Sequence, residues 1–440
     1  MAAESRGASR PLRAAAAEGC GARGRAWRGG GGRPRGRPRL LALASVAAAR
    51  AGALTAEVGL PASLLDVFNS SSASLHARFF ILQPPAYLLR VRGMDMRCQY
   101  FGHMYSFEWM YTDFFDMNPQ FLADSAEEAD FVVVAHCVTY VYHVLRYGAG
   151  FNTVALTWEA LRIAQEEYLL PIIEWAKGTE AHQRSGGRNF VLVLAMDKGR
   201  VDYPLVSHAT RDWHAITTVG NGTTWLQTHT PWLVQDASVY GAAEDVCSNS
   251  TSTSKRPLVF YDQDVVVPVP TAFHWGELAE ETSGRGLLVF YAGSPNSCLR
   301  RLVASELAGS ADPEVLVLAK PMPRSAWSSL LYRARFCLVP DGFSSISARL
   351  YEVLLHGCVP VVLSHAFHPP FESFLDWRRI AVFVRRTEIA HLPAMLRSIG
   401  DERYRDMHAA VVRARRLLGP HDTPFWLATN VELQRRARTL

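Results

Sequence analysis

The chain has 440 residues, of which 49% are hydrophobic, 11% aromatic and 20% charged. This composition is typical of a globular protein and excludes a disordered or fibrous chain. The length exceeds what one hydrophobic core normally serves, so two domains are expected.

The basic charge of the chain is confined to its first residues. Residues 1–50 hold 11 Arg, no Lys and two Glu, a net charge of +9, whereas the other 390 residues hold 35 basic and 39 acidic side chains, a net charge of −4. A slightly acidic body does not attract polyanions, so nucleic acid is not an expected partner.

Residues 1–60 are interpreted as a disordered leader rich in Arg, Gly and Ala. A segment of that composition buries too little apolar area to fold alone. Its apolar run, Leu40–Ala49, ends at Arg50 and is too short for a membrane helix of about 20 residues, which favours a cleaved signal peptide. An Arg-rich organelle transit peptide stays open as the alternative.

Strand and helix patterns alternate from about Phe79, as in an α/β fold with a largely parallel sheet. Short apolar runs predict three buried strands, at Phe79–Leu82, Asp130–His136 and Asn189–Met196. Residues 108–122 and 157–178 have the pattern of helices. Residues 61–255 are therefore predicted to form an amino-terminal Rossmann-like domain.

A polar low-complexity loop at 247–256 leads into a second set of elements. The predicted strands are Asp264–Val269, Gly286–Gly293, Glu314–Ala319, Arg335–Pro340, Val359–Ser364 and Ile380–Val384. The predicted helices are 296–309, 325–334, 348–357 and 392–400. Residues 256–440 are therefore predicted to form a second Rossmann-like domain. Two such domains imply a cleft, and open parallel sheets bind ligands beyond the carboxyl ends of their strands.

A loop and a helix start follow the strand that ends at Pro340. Gly342 removes side-chain bulk there, and Ser347 is a plausible N-cap, which places Arg349 in the first turn of the next helix. Helix-terminal amides and a guanidinium favour a diphosphate. Glu352, one turn further on, suits the two hydroxyls of a ribose, although a plain surface pair of Arg349 with Glu352 remains the alternative.

Seven cysteines are scattered, without the spacing of a zinc site: Cys20, Cys98, Cys137, Cys247, Cys298, Cys337 and Cys358. Six lie beyond the leader and permit disulfides, but the apolar context of Cys137, Cys337 and Cys358 favours buried free thiols. Three glycosylation sequons begin at Asn69, Asn221 and Asn249. They favour the Golgi or another endomembrane lumen over a plastid.

The sequence resembles the exostosin glycosyltransferases, family 47 of the sequence-based classification. The longest matching block begins "RFCLVPDG" and continues "SARLYEVLLHGCVPVVLSHAFHPPFESFLDW". Other blocks follow the family order, at Ala129–His136, Arg184–Gly199, Asp264–Pro270 and Phe290–Arg300. Asp341 stands where some animal relatives carry a basic residue, so the chain is more similar to the plant and algal branch.

The resemblance implies a GT-B fold, with two Rossmann-like domains facing across a cleft, and an inverting transferase without a required metal. The carboxyl-terminal domain would bind a nucleotide sugar, and a UDP-sugar is the donor we expect. Arg349 would neutralise its diphosphate, Glu352 would hold its ribose, and Gly293 with Arg300 would close over the phosphates. The amino-terminal domain would bind the acceptor, an oligosaccharide, polysaccharide or glycoprotein.

Inversion needs a base that deprotonates the acceptor hydroxyl. Asp197 at a predicted strand end is the first candidate, with His103 and His136 behind it, and a turn-forming role for Asp197 is the alternative. A catalytically inactive partner subunit or glycan-binding protein is the competing function. A Rossmann oxidoreductase is disfavoured because no GxGxxG follows a first strand. The sequence leaves open a homo- or hetero-dimer.

Overall fold

A computed structural model describes residues 77–100, 105–148, 154–196, 199–218, 261–271, 284–342, 347–363, 368–373, 375–419 and 423–438. All of them belong to one compact unit, Leu54–Leu440. The predicted leader, the three sequons, His103 and Asp197 lie outside the described residues.

The strands are β1 (Phe79–Leu82), β2 (Arg90–Val91), β3 (Met94–Asp95), β4 (Phe131–Val134), β5 (Phe190–Leu194), β6 (His214–Thr217), β7 (Val265–Val266), β8 (Leu287–Ala292), β9 (Val315–Leu318), β10 (Ala334–Pro340), β11 (Val359–Leu363) and β12 (Val382–Phe383). The α-helices of the first half are α1 (Phe107–Met117), α2 (Val138–His143), α3 (Val154–Ile163), α4 (Leu170–Lys177), α5 (Glu180–Ser185) and α6 (Pro204–Ala209). Those of the second half are α7 (Cys298–Leu307), α8 (Arg324–Arg333), α9 (Ala348–Leu355), α10 (Trp377–Ile380), α11 (Leu392–Arg397), α12 (Asp401–Ala414) and α13 (Thr423–Arg438). Val144–Gly148 and Ala164–Leu169 are π-helical.

The amino-terminal sheet has the strand order β1-β4-β5-β6-β7, and every pairing is parallel. Strands β4, β5 and β6 are buried along their whole length. This explains why the sequences of β4 and β5 are continuous apolar runs rather than alternating ones. The expected α/β fold with parallel sheets is therefore confirmed in this half.

Strand β7 corrects the sequence assignment, which placed it in the second half. It pairs with β6, with Ile216 opposite Val265. The reason is a buried ion pair, because the Arg200 guanidinium contacts the Asp264 carboxylate at 2.7 Å and neither side chain is exposed. Asp264 also accepts the Ala215 N–H at 2.9 Å, which fixes β7 beside β6. The first sheet thus extends past the predicted boundary at residues 255 and 256.

The carboxyl-terminal sheet has the order β12-β11-β10-β8-β9, again entirely parallel. The chain passes from β8 to β9 on one side and then returns to place β10 on the other side of β8. The direction of winding therefore reverses between β8 and β10. In open α/β sheets such a reversal is where ligands bind, beyond the carboxyl ends of the two strands.

The cysteine expectation is wrong for all three residues assigned as free thiols. Cys98 is bonded to Cys137, and Cys337 is bonded to Cys358, with Cα atoms 5.3 and 6.0 Å apart. Cys298 is disulfide-bonded as well. In the second bridge, β10 and β11 are neighbours with Cys337 opposite Pro360, so Cys358 enters the sheet beside Cys337. Burial alone did not reveal this pairing.

The last helix, α13, packs against the amino-terminal sheet's helix α1. The Phe107 and Trp426 rings stack with centroids 5.6 Å apart, and the Tyr111 hydroxyl donates to the Asn430 amide oxygen at 3.0 Å. Residues from both ends of the chain thus share one hydrophobic cluster. Among the described residues, no helix combines the length and apolarity that a membrane crossing requires.

Candidate functional site at the carboxyl ends of β8 and β10

Two helices begin at the point where the winding of the carboxyl-terminal sheet reverses. Helix α7 follows β8 and is capped by Ser297, whose hydroxyl accepts the Arg300 N–H at 3.3 Å. Helix α9 follows β10 and is capped by Ser347, whose hydroxyl accepts the Arg349 N–H at 3.3 Å. The predicted N-cap is confirmed, and two helix amino termini lie beside neighbouring strand ends.

A hydrogen bond ties the two loops together. The Ser297 hydroxyl donates to the Asp341 carbonyl at 2.7 Å, which joins the loop after β8 to the loop after β10. The Asp341 N–H donates to the Leu363 carbonyl at 3.1 Å and so anchors the second loop to β11. The backbone of both loops is therefore held in place at the carboxyl edge of the sheet.

Arg349 reaches from α9 back to the end of β8. Its Nη2 donates to the Ala292 carbonyl at 3.0 Å, and its guanidinium lies 4.8 Å from the Tyr291 ring centroid and 5.5 Å from that of Trp327. Its Nε and Nη1 are buried and find no hydrogen-bond partner among the described residues. The alternative of a surface pair with Glu352 is therefore not made through these two atoms, which are charged donors without a partner among the described residues.

Arg300 is the second cation at the site. Only 9% of the residue is exposed, its Nη1 donates to the Asn296 amide oxygen at 2.9 Å, and its Nε is buried without a partner among the described residues. Burial lowers the pKa of the Arg349 guanidinium, and the Arg300 charge lowers that pKa further. Two like charges close together, one buried and one half-buried, favour binding of an anion, because an anion offsets both desolvation and repulsion.

The two predicted glycines each leave room for one of these guanidinium groups. A Cβ at Gly293 would lie 2.6 Å from Arg349 Nη2 and 2.9 Å from the Tyr291 hydroxyl. A Cβ at Gly342 would lie 2.9 Å from Arg300 Nη2. The structure therefore brings Gly293, Gly342, Arg300 and Arg349 together, and larger residues at the glycines would press on the cations.

Glu352 lies one helical turn beyond Arg349 and is half-buried. Burial raises the pKa of its carboxyl group, while the positive charges of Arg349 and Arg324 oppose that rise. A half-buried carboxylate beside a cationic pocket can accept hydrogen bonds from neutral hydroxyl groups.

His136 is the one candidate base that the structure describes. It is only 3% exposed, and burial lowers the pKa of its imidazole to about 3. The Val138 N–H donates to Nδ1 at 3.4 Å, so the neutral ring carries its proton on Nε2. Nε2 has no partner among the described residues. His136 is therefore arranged as a hydrogen-bond donor rather than as a base.

Sequence reasoning missed a buried carboxyl group, Glu108, at the carboxyl edge of the amino-terminal sheet. Only 2% of the residue is exposed, and burial raises the pKa of its carboxyl group to about 8. Its sequence position, in the first turn of α1, indicates only a favourable interaction with the helix dipole. No local pattern could reveal its partners, since they lie far along the chain.

Curated relatives match parts of the chain. A probable glycosyltransferase from Arabidopsis thaliana is 33% identical over 135 residues, which cover 30% of this chain and 26% of the relative. Exostosin-1 from Drosophila melanogaster is 41% identical over 80 residues, 18% of this chain and 10% of the relative. A probable beta-1,4-xylosyltransferase from Arabidopsis thaliana is 35% identical over 88 residues, 20% of each chain. The matches thus span about a quarter or less of these relatives' own length.

A solved structure described as "OtsA apo structure" covers 80% of this chain and 97% of its own, with 10% identity and a TM-score of 0.30. That likeness is too weak to bear on the fold. The family comparison is much broader, because residues 66–399 match the Exostosin GT47 domain, a range that includes both parallel sheets and all of the arginine site described above. The chain belongs to the Exostosin GT47 domain family.

Proposed function

We propose that the protein is an inverting glycosyltransferase that moves a sugar from a nucleotide-sugar donor, a UDP-sugar, to a hydroxyl group of a glycan. The observation that carries this proposal is the half-buried Arg349 at the winding reversal of the carboxyl-terminal sheet, whose Nε and Nη1 are buried and have no partner among the described residues. The family names of the relatives support the same class of reaction.

The donor diphosphate would bind between the starts of α7 and α9. When the bond between the anomeric carbon and the diphosphate oxygen breaks, negative charge accumulates on the departing phosphate. Arg349 and Arg300 would stabilise that charge, together with the orphan amides of the two helix amino termini. Glu352 would accept hydrogen bonds from the ribose hydroxyls. With two guanidinium groups in this role, we propose that no metal ion is required.

The acceptor would approach from the amino-terminal sheet. Its hydroxyl oxygen attacks the anomeric carbon on the face opposite the diphosphate, a base takes the hydroxyl proton, and the nucleoside diphosphate leaves with the bonding electron pair. We assign the base to Asp197, which follows β5 by three residues. The choice between hexosyl and pentosyl donors depends on pocket shape and stays open.

Calorimetry with UDP and with a panel of UDP-sugars tests the proposal. We expect UDP to bind, uridine to bind far more weakly, and at least one UDP-sugar to be hydrolysed or transferred. The variants Arg349→Ala and Glu352→Ala should bind UDP much more weakly than wild type and should neither hydrolyse nor transfer a UDP-sugar. A wild-type protein that binds none of the panel would instead support the inactive partner subunit or glycan-binding protein.

We also propose residence in the Golgi or another endomembrane lumen. The two disulfides between described residues support this, since such bonds persist in oxidising compartments. Glycan analysis at Asn69, Asn221 and Asn249 tests it. Unmodified asparagines together with import into plastids would contradict it.

A further inference from the structure

The buried carboxyl group of Glu108 bridges two loops of the amino-terminal sheet. Its Oε2 accepts the Thr139 N–H at 3.1 Å, and its Oε1 lies 2.6 Å from the Thr139 hydroxyl oxygen. Its Oε1 also accepts the Ala195 N–H at 3.5 Å. These partners lie 31 and 87 residues away along the chain, so the contacts are tertiary.

The two bridged loops leave neighbouring strands at the same edge of the sheet. Strand β4 ends at Val134, and the chain then continues through His136 to Thr139. Strand β5 ends at Leu194, directly before Ala195, and pairs in parallel with β4. The carboxyl edge of parallel strands is where α/β folds place substrates and catalytic groups.

The loop after β4 is also held by contacts that do not involve Glu108, so the contact that depends on Glu108 alone is the one to Ala195. Cys137 is fixed by its disulfide to Cys98, and its N–H donates to the Tyr168 hydroxyl at 3.0 Å. A buried carboxyl group carries a desolvation cost that an apolar side chain would avoid. The contact that Glu108 adds to these anchors is the link from this loop to the end of β5.

We propose that Glu108 is a positioning residue for the acceptor side of the reaction. It holds the backbone at Ala195, the first residue after β5, beside the loop that carries His136. This inference rests on the proposed function. Glu108 is too deeply buried to touch a substrate itself, so it acts through the backbone it binds.

The protonation state of Glu108 changes the strength of its hydrogen bond with the Ala195 N–H. The ionised carboxylate can accept all three hydrogens, whereas the protonated group donates from Oε1 to the Thr139 hydroxyl and holds the Ala195 N–H less strongly. The Tyr168 and Tyr203 hydroxyls face the Glu108 charge, and burial raises the pKa of both, so they stay neutral. The negative charge of Asp202 also raises the pKa of the Tyr203 hydroxyl.

Stability should depend on pH through the same group. Because the unfolded carboxyl group ionises near its ordinary pKa of 4.5 and the folded one near about 8, the unfolded state loses its proton first as the pH rises. The wild-type free energy of unfolding should therefore fall between those pH values and level off above them. Glu108→Gln should remove that component of the pH dependence, measured by urea unfolding across the range.

Two variants separate the contacts of Glu108. In Glu108→Gln the amide oxygen can accept the Thr139 N–H and the amide nitrogen can donate to the Thr139 hydroxyl, which leaves Ala195 facing another donor. Thr139→Val removes only the hydroxyl and keeps the carboxylate opposite Ala195. We expect exchange of the Ala195 amide hydrogen to accelerate about tenfold or more in Glu108→Gln and to stay near wild type in Thr139→Val.

The kinetic expectation concerns the acceptor and not the donor. Glu108→Gln should lower kcat/KM for the acceptor about tenfold and flatten its pH profile around pH 8, while the Kd for UDP stays within about twofold of wild type. Unchanged Ala195 exchange, or unchanged acceptor kinetics in an active enzyme, would overturn the inference alone. Loss of UDP binding would also overturn it, because the effect would then be a general loss of structure. A wild type that transfers no sugar overturns the proposed function and with it the catalytic part of the Glu108 role.

Discussion

Replacing Arg349 with alanine should weaken nucleotide binding without destabilising the unliganded protein. Two of its nitrogens, Nε and Nη1, are buried and have no partner among the described residues. A hydrogen bond to a charged group contributes about 1.5–3 kcal/mol, so losing two to a diphosphate costs about 3–6 kcal/mol. The Kd for UDP should then rise by at least about 100-fold. Because the substitution also removes a buried charge, the melting temperature of the free protein should not fall appreciably.

Isothermal titration calorimetry with UDP measures this effect, and Arg335→Ala is the matched control. Arg335 belongs to the same sheet but lies at the opposite end of β10, where it contacts Asp401 at 2.9 Å and the Tyr404 ring centroid at 4.2 Å. Its removal should leave the Kd for UDP unchanged. Arg349→Lys, which keeps the charge but loses the planar fork, should weaken binding about tenfold. An Arg349→Ala protein that binds UDP within threefold of wild type would refute the reasoning.

Three further outcomes follow from the structure. Gly293→Ala should weaken UDP binding because its Cβ would lie 2.6 Å from Arg349 Nη2, whereas Gly286→Ala, with nothing within 4 Å, should bind UDP like wild type in the same calorimetric assay. Replacing Cys337 and Cys358 together by serine should lower the free energy of unfolding by about 3 kcal/mol, since the bond closes a loop with a sequence separation of 21; an unchanged urea midpoint would contradict this. Asp264→Asn should lower the free energy of unfolding by about 3–5 kcal/mol, because it leaves the buried Arg200 guanidinium without its counter-charge. A decrease below about 1 kcal/mol in urea unfolding would show that the pair does not hold β7 in its sheet.

Local sequence patterns predicted the elements of the arginine site well. The strand ending at Pro340, the cap at Ser347 and the helix carrying Arg349 all depend on neighbouring residues. Turn chemistry, capping and apolar periodicity act over a few residues, so a single sequence can reveal them. The predicted strand Ile380–Val384 was less accurate, because α10 extends through Ile380 and only Val382–Phe383 pairs.

Features that depend on contacts distant in sequence were not predictable in the same way. The assignment of β7 depends on Asp264 meeting Arg200, and the Cys337–Cys358 bond depends on β10 and β11 being neighbours. The role of Glu108 depends on Ala195, which is 87 residues away. Strand order decides which residues meet, and apolar runs do not encode that order.

A crystal structure of the protein with bound UDP tests the central claim most directly. We expect the diphosphate at the carboxyl ends of β8 and β10, within hydrogen-bonding distance of Arg349 Nε and Nη1 and of Arg300 Nε, three donor atoms of this site that have no partner among the described residues. A diphosphate bound elsewhere, with Arg349 still bonded only to the Ala292 carbonyl, would contradict the account.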